Sequence, residues 1–272
     1  MTGRFSLEGR VAVVTGAAGL LGRRHASALA AAGAALALGD TDGEAADALA
    51  RKIAAEHGVP ALGFLLDVTN RRSLLAFRDA VLGEFRRLDV LVNDAAVNDK
   101  FEDASLAADL SRFEAYPLPA WQRMLDVNVT GTFLSCQVLG PSMAERGAGS
   151  IVNVASTYGL VGPDQSLYVR PDGTRAFWKS PAYPAGKGAI LAFTRYLAAY
   201  WGPAGVRVNA LSPGGVEDGQ ESWFVGNYAR RTPLGRMAEP EDYEGAIVFL
   251  ASDASSYMTG ANLVVDGGFT AW

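Results

Sequence analysis

The 272-residue chain has few of the side chains that form disulfides or bind soft metals: one cysteine, Cys136, and two histidines, His25 and His57. A single cysteine cannot close an internal disulfide, which is compatible with a reducing compartment, and we expect a cytoplasmic protein. Two histidines cannot supply a metal cluster, so we expect no metal site. Both histidines are expected on helical surfaces, without a chemical role.

The chain also lacks an excess of basic residues and any long apolar run. Its net charge is −5 and its pI is near 5.1, which argues against a nucleic-acid or membrane-surface binder. No segment approaches the ~18 uninterrupted apolar residues of a membrane span. Residues 1–10 carry no apolar signal segment. We therefore expect a small-molecule substrate and neither a nucleic-acid nor a membrane partner.

Short apolar runs alternate with longer helical patterns along the whole chain. The runs predict strands at Val11–Thr15, Ala35–Gly39, Ala61–Leu66, Val90–Val92, Ile151–Val154, Val206–Leu211 and Asn262–Val265. The helical patterns cover Leu20–Ala32, Gly43–His57, Arg71–Arg86, Pro119–Arg146, Tyr183–Trp201 and Pro240–Ser252. This alternation predicts one α/β domain over residues 1–272, a doubly wound Rossmann-type fold. Its mostly parallel seven-stranded sheet would carry helices on both faces.

A glycine-rich segment, Thr15–Gly22, follows the first predicted strand and opens the first helix. Gly16 would permit a tight turn, Gly19 would let phosphates approach the backbone, and Gly22 would let the helix pack closely. An ordinary strand-to-helix turn can look the same, so the pattern by itself does not establish a pyrophosphate site.

Asp40 strengthens that interpretation because it ends the second predicted strand, roughly 20 residues after the glycines. A carboxylate there accepts hydrogen bonds from an adenosine ribose and repels a 2′-phosphate, which favours NAD over NADP. Two alternatives stay open. Asp40 could instead cap the helix that starts near Gly43, and Arg23 or Arg24 could pair with a phosphate.

Tyr183 and Lys187 lie four residues apart at the start of a predicted helix, so they share one face. A neighbouring ammonium favours the phenolate, and a tyrosine with a lowered pKa can exchange a proton with an alcohol or a ketone. The same spacing occurs on many solvated helix faces, so the rest of the chain must supply the context.

Taken together, these segments resemble the short-chain dehydrogenase/reductase family over the whole chain. The further segments that match in order are Asp67-Val68, Asn93-Asp94-Ala95-Ala96, Asn128 within Asp126–Val129, Ser156 after Asn153-Val154-Ala155, Ser212-Pro213-Gly214 and Asp266-Gly267-Gly268. The resemblance implies four catalytic residues: Asn128, Ser156, Tyr183 and Lys187. It implies cofactor contacts from Gly16, Gly19, Leu20, Leu21, Gly22, Asp40, Asp67, Val68, Asn93, Ala95, Tyr183, Lys187, Pro213, Gly214 and Val216.

The chemistry that the resemblance implies is hydride transfer between NAD and a secondary alcohol or ketone. Tyr183 would be the general acid/base, and Lys187 would lower its pKa and hold the nicotinamide ribose. Ser156 would hydrogen-bond the reacting oxygen, and Asn128 would hold a water that links Lys187 to solvent. Asp67 could equally be a turn cap. Family members associate through their long helices and last strand, so we expect a homo-oligomer, a dimer or a homotetramer.

Several positions depart from the family pattern. Leu20 replaces a loop glycine, Asp94 and Ala96 replace an asparagine and a glycine, and Gly186 replaces a serine. The polar segment Asp99–Leu118 could line the pocket mouth.

The segment between Ser156 and Tyr183 is about twice the usual length, and we expect it to form part of the substrate wall. The polar groups expected there and in the loop after Pro213 are Gln165, Tyr168, Arg170, Arg175, Lys179, Glu217, Asp218, Gln220, Glu221 and Trp223. Such a lining favours a sugar, polyol or other hydroxylated molecule, as in carbohydrate metabolism. The alternative for the segment between Ser156 and Tyr183 is a surface loop. The alternatives for the function of the protein are an epimerase that uses transient oxidation and a non-catalytic NAD-sensing protein.

Overall fold

A computed structural model of the protein describes residues 3–98 and 108–272, and seven strands in these residues form one sheet. The strands are β1 Val11–Thr15, β2 Ala35–Asp40, β3 Ala61–Leu65, β4 Val90–Asn93, β5 Gly149–Val154, β6 Val206–Pro213 and β7 Asn262–Val265. Their order is β3-β2-β1-β4-β5-β6-β7, and every neighbouring pair is parallel. The predicted seven-stranded doubly wound sheet is confirmed, and all its pairings are parallel. The segment Asp99–Leu118 was expected to line the pocket mouth, and its residues 99–107 lie outside the described residues.

The α-helices of the described residues connect these strands. They are α1 Gly22–Ala31, α2 Gly43–His57, α3 Arg71–Phe85, α4 Leu118–Leu125, α5 Thr132–Arg146, α6 Ala182–Trp201, α7 Ser222–Arg231 and α8 Glu244–Ala251. The predicted long helix Pro119–Arg146 is divided, because a π-helical segment, Asp126–Gly131, separates α4 from α5. Within residues 3–98 and 108–272, none of the helices combines the length and apolar character needed to cross a bilayer.

Helix α7 was not expected from the sequence. Gly226 lies in the middle of this helix, and Glu221, the residue before its first turn, makes no side-chain capping hydrogen bond. The helix is instead held by packing, since Tyr228 is buried in an aromatic cluster with Phe269. Local signals are therefore weak here, and tertiary contacts stabilise the helix.

Both faces of the sheet are covered, which explains the continuous apolar strands. Ala12 and Val14 of β1 pack on the side of α1, α2 and α8, whereas Val11 and Val13 pack on the side of α3, α5 and α6. Helices thus lie on both faces, as predicted.

The position of β1 between β2 and β4 creates a crevice at the carboxyl ends of the strands. The chain leaves β1 toward β2 on one side and returns to β4 on the other, so the connections diverge there. Thr15 and Asn93 are paired at this edge. The sheet therefore brings the segments that follow β1, β2, β4 and β5 to one side of the molecule.

Gly22 allows α1 to pack closely against the turn that follows β1. A β-carbon on Gly22 would lie 2.2 Å from the Gly16 carbonyl oxygen, so Gly22→Ala is expected to lower the free energy of unfolding by about 1–3 kcal/mol. Gly83, inside α3, has nothing within 4 Å of its β-carbon position. Gly83→Ala should raise stability by about 0.5–1 kcal/mol, because alanine favours helix. Urea denaturation measures both, and equal effects of the two changes would contradict this packing.

Candidate active site

A cavity of about 920 Å³ opens at the carboxyl ends of the strands. This volume is in the range of small-molecule and cofactor sites. Its lining comes from the glycine-rich segment, from the ends of β2 to β6, and from α6 and α7. The residues with predicted roles that line it are Gly16, Gly19, Leu20, Leu21, Asp40, Asp67, Val68, Ala95, Ser156, Tyr183, Lys187, Pro213, Gly214 and Val216.

The glycine-rich turn is held tightly against the segment after β4. Gly16 has a φ of 67°, and a β-carbon on it would lie 2.6 Å from Cα of Ala95. Helix α1 begins at Gly22, later than the predicted Leu20, so Leu20 and Leu21 belong to the turn and line the cavity. Gly22 does not line it. Gly22 instead packs behind the turn, and its expected cofactor contact stays a prediction.

Asp40 fixes the glycine-rich turn as well as lining the cavity. Its Oδ2 accepts a hydrogen bond from the Ala18 N–H at 2.9 Å, and its Oδ1 accepts one from the Asp42 N–H at 3.1 Å. The residue that caps α2 is Asp42, whose carboxylate accepts from the Ala45 N–H at 2.9 Å. The alternative interpretation of Asp40 as the cap of α2 is therefore wrong.

The two arginines after the glycines are already engaged within the chain. Arg23 donates to the carbonyl oxygens of Ala18 and Gly19 at 3.0 and 3.1 Å, and Arg24 pairs with Glu241. Neither arginine lines the cavity. The alternative that they hold a 2′-phosphate finds no support in this arrangement.

Asp67 and Asn93 have structural roles of their own. Asp67 Oδ1 accepts from Thr69 N–H and Oγ1–H at 2.9 and 2.7 Å, so Asp67 caps a turn and lines the cavity at once. Asn93 is buried behind the lining, where its Nδ2 donates to Asn153 Oδ1 at 2.8 Å. Asn93 therefore ties the end of β4 to β5 behind the cavity lining, and its expected cofactor contact stays a prediction.

Asn128, in the π-helical segment, uses its side-chain amide on the backbone after β4 and on Met124, whose Sδ accepts from Nδ2 at 3.1 Å. Its Oδ1 accepts from the Val97 N–H at 2.8 Å, and its Nδ2 donates to the Val97 carbonyl at 3.0 Å. π-Helical turns are often found at functional sites. This bidentate clamp was missed by sequence reasoning, and the expected water contact of Asn128 stays a prediction.

Ser156, Tyr183 and Lys187 meet on one wall of the cavity. Lys187 is buried, its Nζ donates to the Val154 carbonyl at 2.7 Å, and it lies 5.8 Å from the centre of the Tyr183 ring. Gly159 permits this approach, because a β-carbon on it would lie 2.8 Å from the Lys187 carbonyl. The end of β5 thus positions the start of α6.

Burial shifts the pKa values of both Tyr183 and Lys187. Burial raises the pKa of Tyr183, the charge of Asp94 adds to the rise, and a hydrogen bond with Ser156 opposes it. Burial lowers the pKa of Lys187 to about 8, against the charge of Asp94. In the chain alone, loss of solvent penalises the phenolate more than the surroundings stabilise it, and the expected lowering of the Tyr183 pKa by Lys187 stays a prediction.

The wall beyond Tyr183 is aromatic rather than broadly polar. It is lined by Tyr158, Tyr168, Phe224, Tyr228 and Met237. The hydroxyl oxygens of Tyr158 and Tyr168 are 3.1 Å apart. Burial raises the pKa of Tyr168 to about 12 and that of Tyr158 still further, so both hydroxyls are neutral at ordinary pH.

Of the polar groups predicted for this wall, Tyr168, Lys179 and Gln220 line the cavity. Lys179 Nζ lies 4.5 Å from the centre of the Tyr183 ring. Arg175 instead stacks on Trp178 and donates to the Gln165 carbonyl at 2.6 Å. The other side chains expected in this wall do not line the cavity: Gln165, Arg170, Arg175, Glu217, Asp218, Glu221 and Trp223. The aromatic residues were visible in the sequence, but only packing shows which of them face the cavity.

His25 is the other correction. We expected it on a helical surface, yet His25 lies on the inner face of α1 and is fully buried. Its Nδ1 is 3.4 Å from Asp94 Oδ2. His57 is partly buried and lies 3.0 Å from Ser27 Oγ. The alanine-rich sequence of α1 does not distinguish the face that meets the end of β4, so burial of His25 was not predictable from periodicity.

Comparison with known proteins places the chain in a family. A family model described as enoyl-(acyl carrier protein) reductase matches residues 16–270. The D-threitol dehydrogenase of Mycolicibacterium smegmatis is 41% identical, over 98% of this chain and 95% of its own length. The 3-alpha-(or 20-beta)-hydroxysteroid dehydrogenase of Mycobacterium tuberculosis is 39% identical, over 100% and 92%.

Solved structures of dehydrogenases also resemble this chain over nearly its whole length. The gluconate 5-dehydrogenase of Burkholderia cenocepacia, in complex with NADP and tartrate, superposes with a TM-score of 0.86 at 30% identity, over 99% of this chain and 98% of its own. The chain belongs to the short-chain dehydrogenase/reductase family. It is an oxidoreductase of the kind that acts on alcohols and ketones, and its family uses NAD or NADP.

The buried ammonium of Lys187 makes a prediction about pH and stability. Its pKa in the folded chain is about 8, below its ordinary value of 10.5, so the unfolded chain binds more protons between these values. The penalty of burying the charge is present below pH 8 and is lost as pH rises to about 10.5. Lys187→Met removes this penalty, so the stability of the variant relative to wild type should fall, by on the order of 3 kcal/mol, across that window.

Urea unfolding at several pH values measures this difference. Lys52→Met on the exposed face of α2 is the matched control and should show no such trend. A flat difference for Lys187→Met would contradict the burial of a charged amine.

Proposed function

We propose that this protein is an NAD-dependent oxidoreductase that interconverts a secondary alcohol and a ketone by hydride transfer, with Tyr183 as general acid/base. The observation that carries the proposal is the shared cavity. Ser156, Tyr183 and Lys187 line it at one end, and the glycine-rich turn and Asp40 line it at the other. A dinucleotide is long enough to need both ends, with its reactive ring near Tyr183.

The residues present fit such a cofactor. Gly16 and Gly19 leave backbone exposed to the cavity without side chains, which suits a pyrophosphate. The bound nicotinamide would supply the hydride acceptor or donor. In this arrangement Asn93 and Gly22 lie behind the residues that line the cavity.

The protein side of the reaction is proton transfer and orientation. Ser156 would donate a hydrogen bond to the reacting oxygen, and Tyr183 would exchange a proton with it. Because burial raises the Tyr183 pKa, the phenol is protonated at neutral pH and ready to protonate a ketone oxygen. Alcohol oxidation needs the phenolate, so the oxidation rate should rise with pH. Lys187, held by the Val154 carbonyl, and the positively charged nicotinamide of a bound NAD would together favour that phenolate.

NAD is proposed over NADP on the charges around Asp40. Asp40 and Asp42 line the cavity at this end, whereas Arg23 and Arg24 are engaged elsewhere. Two carboxylates repel a 2′-phosphate. This supports NAD even though the gluconate 5-dehydrogenase structure holds NADP.

A polyol or other small hydroxylated molecule is proposed as the substrate. The D-threitol dehydrogenase relative favours it, and Tyr158, Tyr168 and Gln220 offer hydroxyl and amide partners in the cavity. A second candidate is an alicyclic alcohol. The aromatic wall with Phe224 and Met237 favours that class, as does the hydroxysteroid dehydrogenase relative.

The proposal extends to assembly. Tyr196 and Tyr200 of α6 are exposed and stacked at 6.0 Å, and Phe133 of α5 is also exposed. Such aromatic surface on adjoining helices supports a homo-oligomer, a dimer or tetramer. The single sheet draws strands from Val11 to Val265, which supports one domain over residues 1–272.

A substrate panel with a Tyr183→Phe control tests the reaction. Purified protein should reduce NAD with polyols such as D-threitol, and Tyr183→Phe should lower kcat by about 10³-fold or more while NADH binding persists. The readouts are nicotinamide absorbance and fluorescence. Turnover with alicyclic alcohols alone would favour the second candidate. Tightly retained NAD without net turnover would indicate an epimerase, and full activity of Tyr183→Phe would overturn the mechanism.

Cofactor choice is tested by Asp40→Asn. Asparagine keeps an oxygen for the Ala18 N–H and removes the charge, so kcat/KM for NADP relative to NAD should rise by about tenfold or more, equivalent to ~1.4 kcal/mol. Arg24→Gln is the control and should leave the ratio unchanged. A wild-type preference for NADP, or a loss of NADP activity in Arg24→Gln, would contradict the assignment.

A further inference from the structure

Two tyrosine hydroxyl groups are paired beside the wall that carries Ser156 and Tyr183. The hydroxyl oxygens of Tyr158 and Tyr168 lie 3.1 Å apart, both side chains are buried, and both residues line the cavity. Within residues 3–98 and 108–272, neither hydroxyl makes a further hydrogen bond. The pair has two hydroxyl protons and uses one of them between its own oxygens. One proton and several oxygen lone pairs are therefore left for another polar group.

Tyr158 is joined directly to the residue that is proposed to bind the reacting oxygen. Its backbone N–H donates to Ser156 Oγ at 3.2 Å. The ring of Tyr183 packs against the aromatic cluster that contains both tyrosines of the pair. Lys179 Nζ lies 4.5 Å from the centre of the Tyr183 ring and 6.0 Å from the centre of the Tyr158 ring, so both rings adjoin one ammonium group. The hydroxyl pair is therefore a neighbour of the proposed reaction centre.

Tyr168 is held in place by helix α7. Asn227 of α7 donates from Nδ2 to the carbonyl oxygens of Leu167 and Val169, at 3.1 Å each. These two residues lie on either side of Tyr168 in the chain. Phe224, on the same helix, packs on the Tyr168 ring with the ring centres 5.5 Å apart. The long segment that precedes α6 is thus fixed on α7 at the residue that completes the hydroxyl pair.

Stability explains these two hydroxyl groups poorly. The Tyr168 ring is packed between the rings of Phe177 and Phe224, whose centres lie 4.7 and 5.5 Å away. A phenylalanine at this position would fill the same space without a polar atom. Burial of a hydroxyl group is costly, and one hydrogen bond between two such groups offsets little more than that cost. A polar ligand group that binds to the pair supplies the missing reason.

Resting on the proposed function, we propose that Tyr158 and Tyr168 are specificity-determining residues that bind a second hydroxyl group of the substrate. The pair donates its remaining proton to that oxygen and accepts the proton of that hydroxyl, while Ser156 and Tyr183 bind the oxygen that reacts. The substrate class is then a diol or polyol. An alicyclic alcohol with a single hydroxyl would leave the pair buried without this partner, and such a site discriminates against it.

Removing one hydroxyl of the pair should reduce the preference for a polyol. The probes are D-threitol and butan-2-ol, which share a four-carbon chain and differ in the number of hydroxyl groups. In Tyr168→Phe, the ratio of kcat/KM for D-threitol to that for butan-2-ol should fall by about tenfold, the usual effect of one lost hydrogen bond. The fall should come mainly from a higher KM for D-threitol. Tyr158→Phe should act in the same way, and the double variant should lose less than the product of the two single effects.

Tyr257→Phe is the matched control, because it removes the same atom from a fully exposed side chain before β7. It should leave the ratio unchanged. Urea unfolding shows whether each variant is folded, and Tyr158→Phe carries the test if Tyr168→Phe is not.

A second readout does not depend on turnover. In protein that carries Tyr183→Phe and is saturated with NAD, calorimetry gives the Kd of D-threitol. Adding Tyr168→Phe should raise this Kd by about tenfold, whereas the Kd of NAD measured without D-threitol should stay the same.

The outcomes separate this inference from the proposed function. An active wild type that does not prefer D-threitol over butan-2-ol overturns the inference and leaves the proposed reaction intact. Folded variants of the pair with an unchanged ratio do the same, and so does an equal fall for both alcohols, which indicates a packing role. Absence of oxidation of any alcohol by the wild type overturns the proposed function itself.

Discussion

The burial of Lys187 beside the partly buried Tyr183, at the carboxyl edge of the sheet, is the constraint on which the site depends. Lys187 is almost excluded from solvent and has one carbonyl, that of Val154, as its hydrogen-bond acceptor. Its pKa falls to about 8, while that of Tyr183 rises. Desolvation therefore sets both groups closer to the neutral form than free side chains would be. The charge of Asp94, which lines the same cavity, is screened less by solvent there than it would be at the surface.

The fold makes this burial possible through close backbone approaches. Gly159 lets the turn after β5 touch α6, Gly16 lets the first turn touch Ala95, and Gly22 lets α1 pack against that first turn. Each contact would be blocked by a single β-carbon. The Asn128 clamp on Val97 then fixes the segment after β4. The result is a cavity whose two ends are built by different strands yet held rigidly to each other.

Sequence patterns predicted the elements whose signals are local. All seven strands were found within one or two residues of their predicted positions. Burial on both faces gives the central strands continuous apolar runs, whereas the edge strands β3 and β7 are only partly buried. Helix α7 was missed because packing of Tyr228, rather than capping, stabilises it. The break in the predicted long helix, at the π-helical segment, was missed, and Asn128 within this segment contacts Val97, 31 residues earlier in the chain.

The sequence by itself determined the order of strands and helices, the three glycines of the first turn and the spacing of Tyr183 and Lys187, since each follows from short-range periodicity or covalent distance. Only the tertiary structure decided which of many aromatic and polar residues face the cavity, that Arg175 stacks on Trp178 outside it, and that His25 is buried against Asp94. Those outcomes depend on contacts between segments far apart in the chain. Burial and electrostatic environment are properties of such contacts, so no local pattern encodes them.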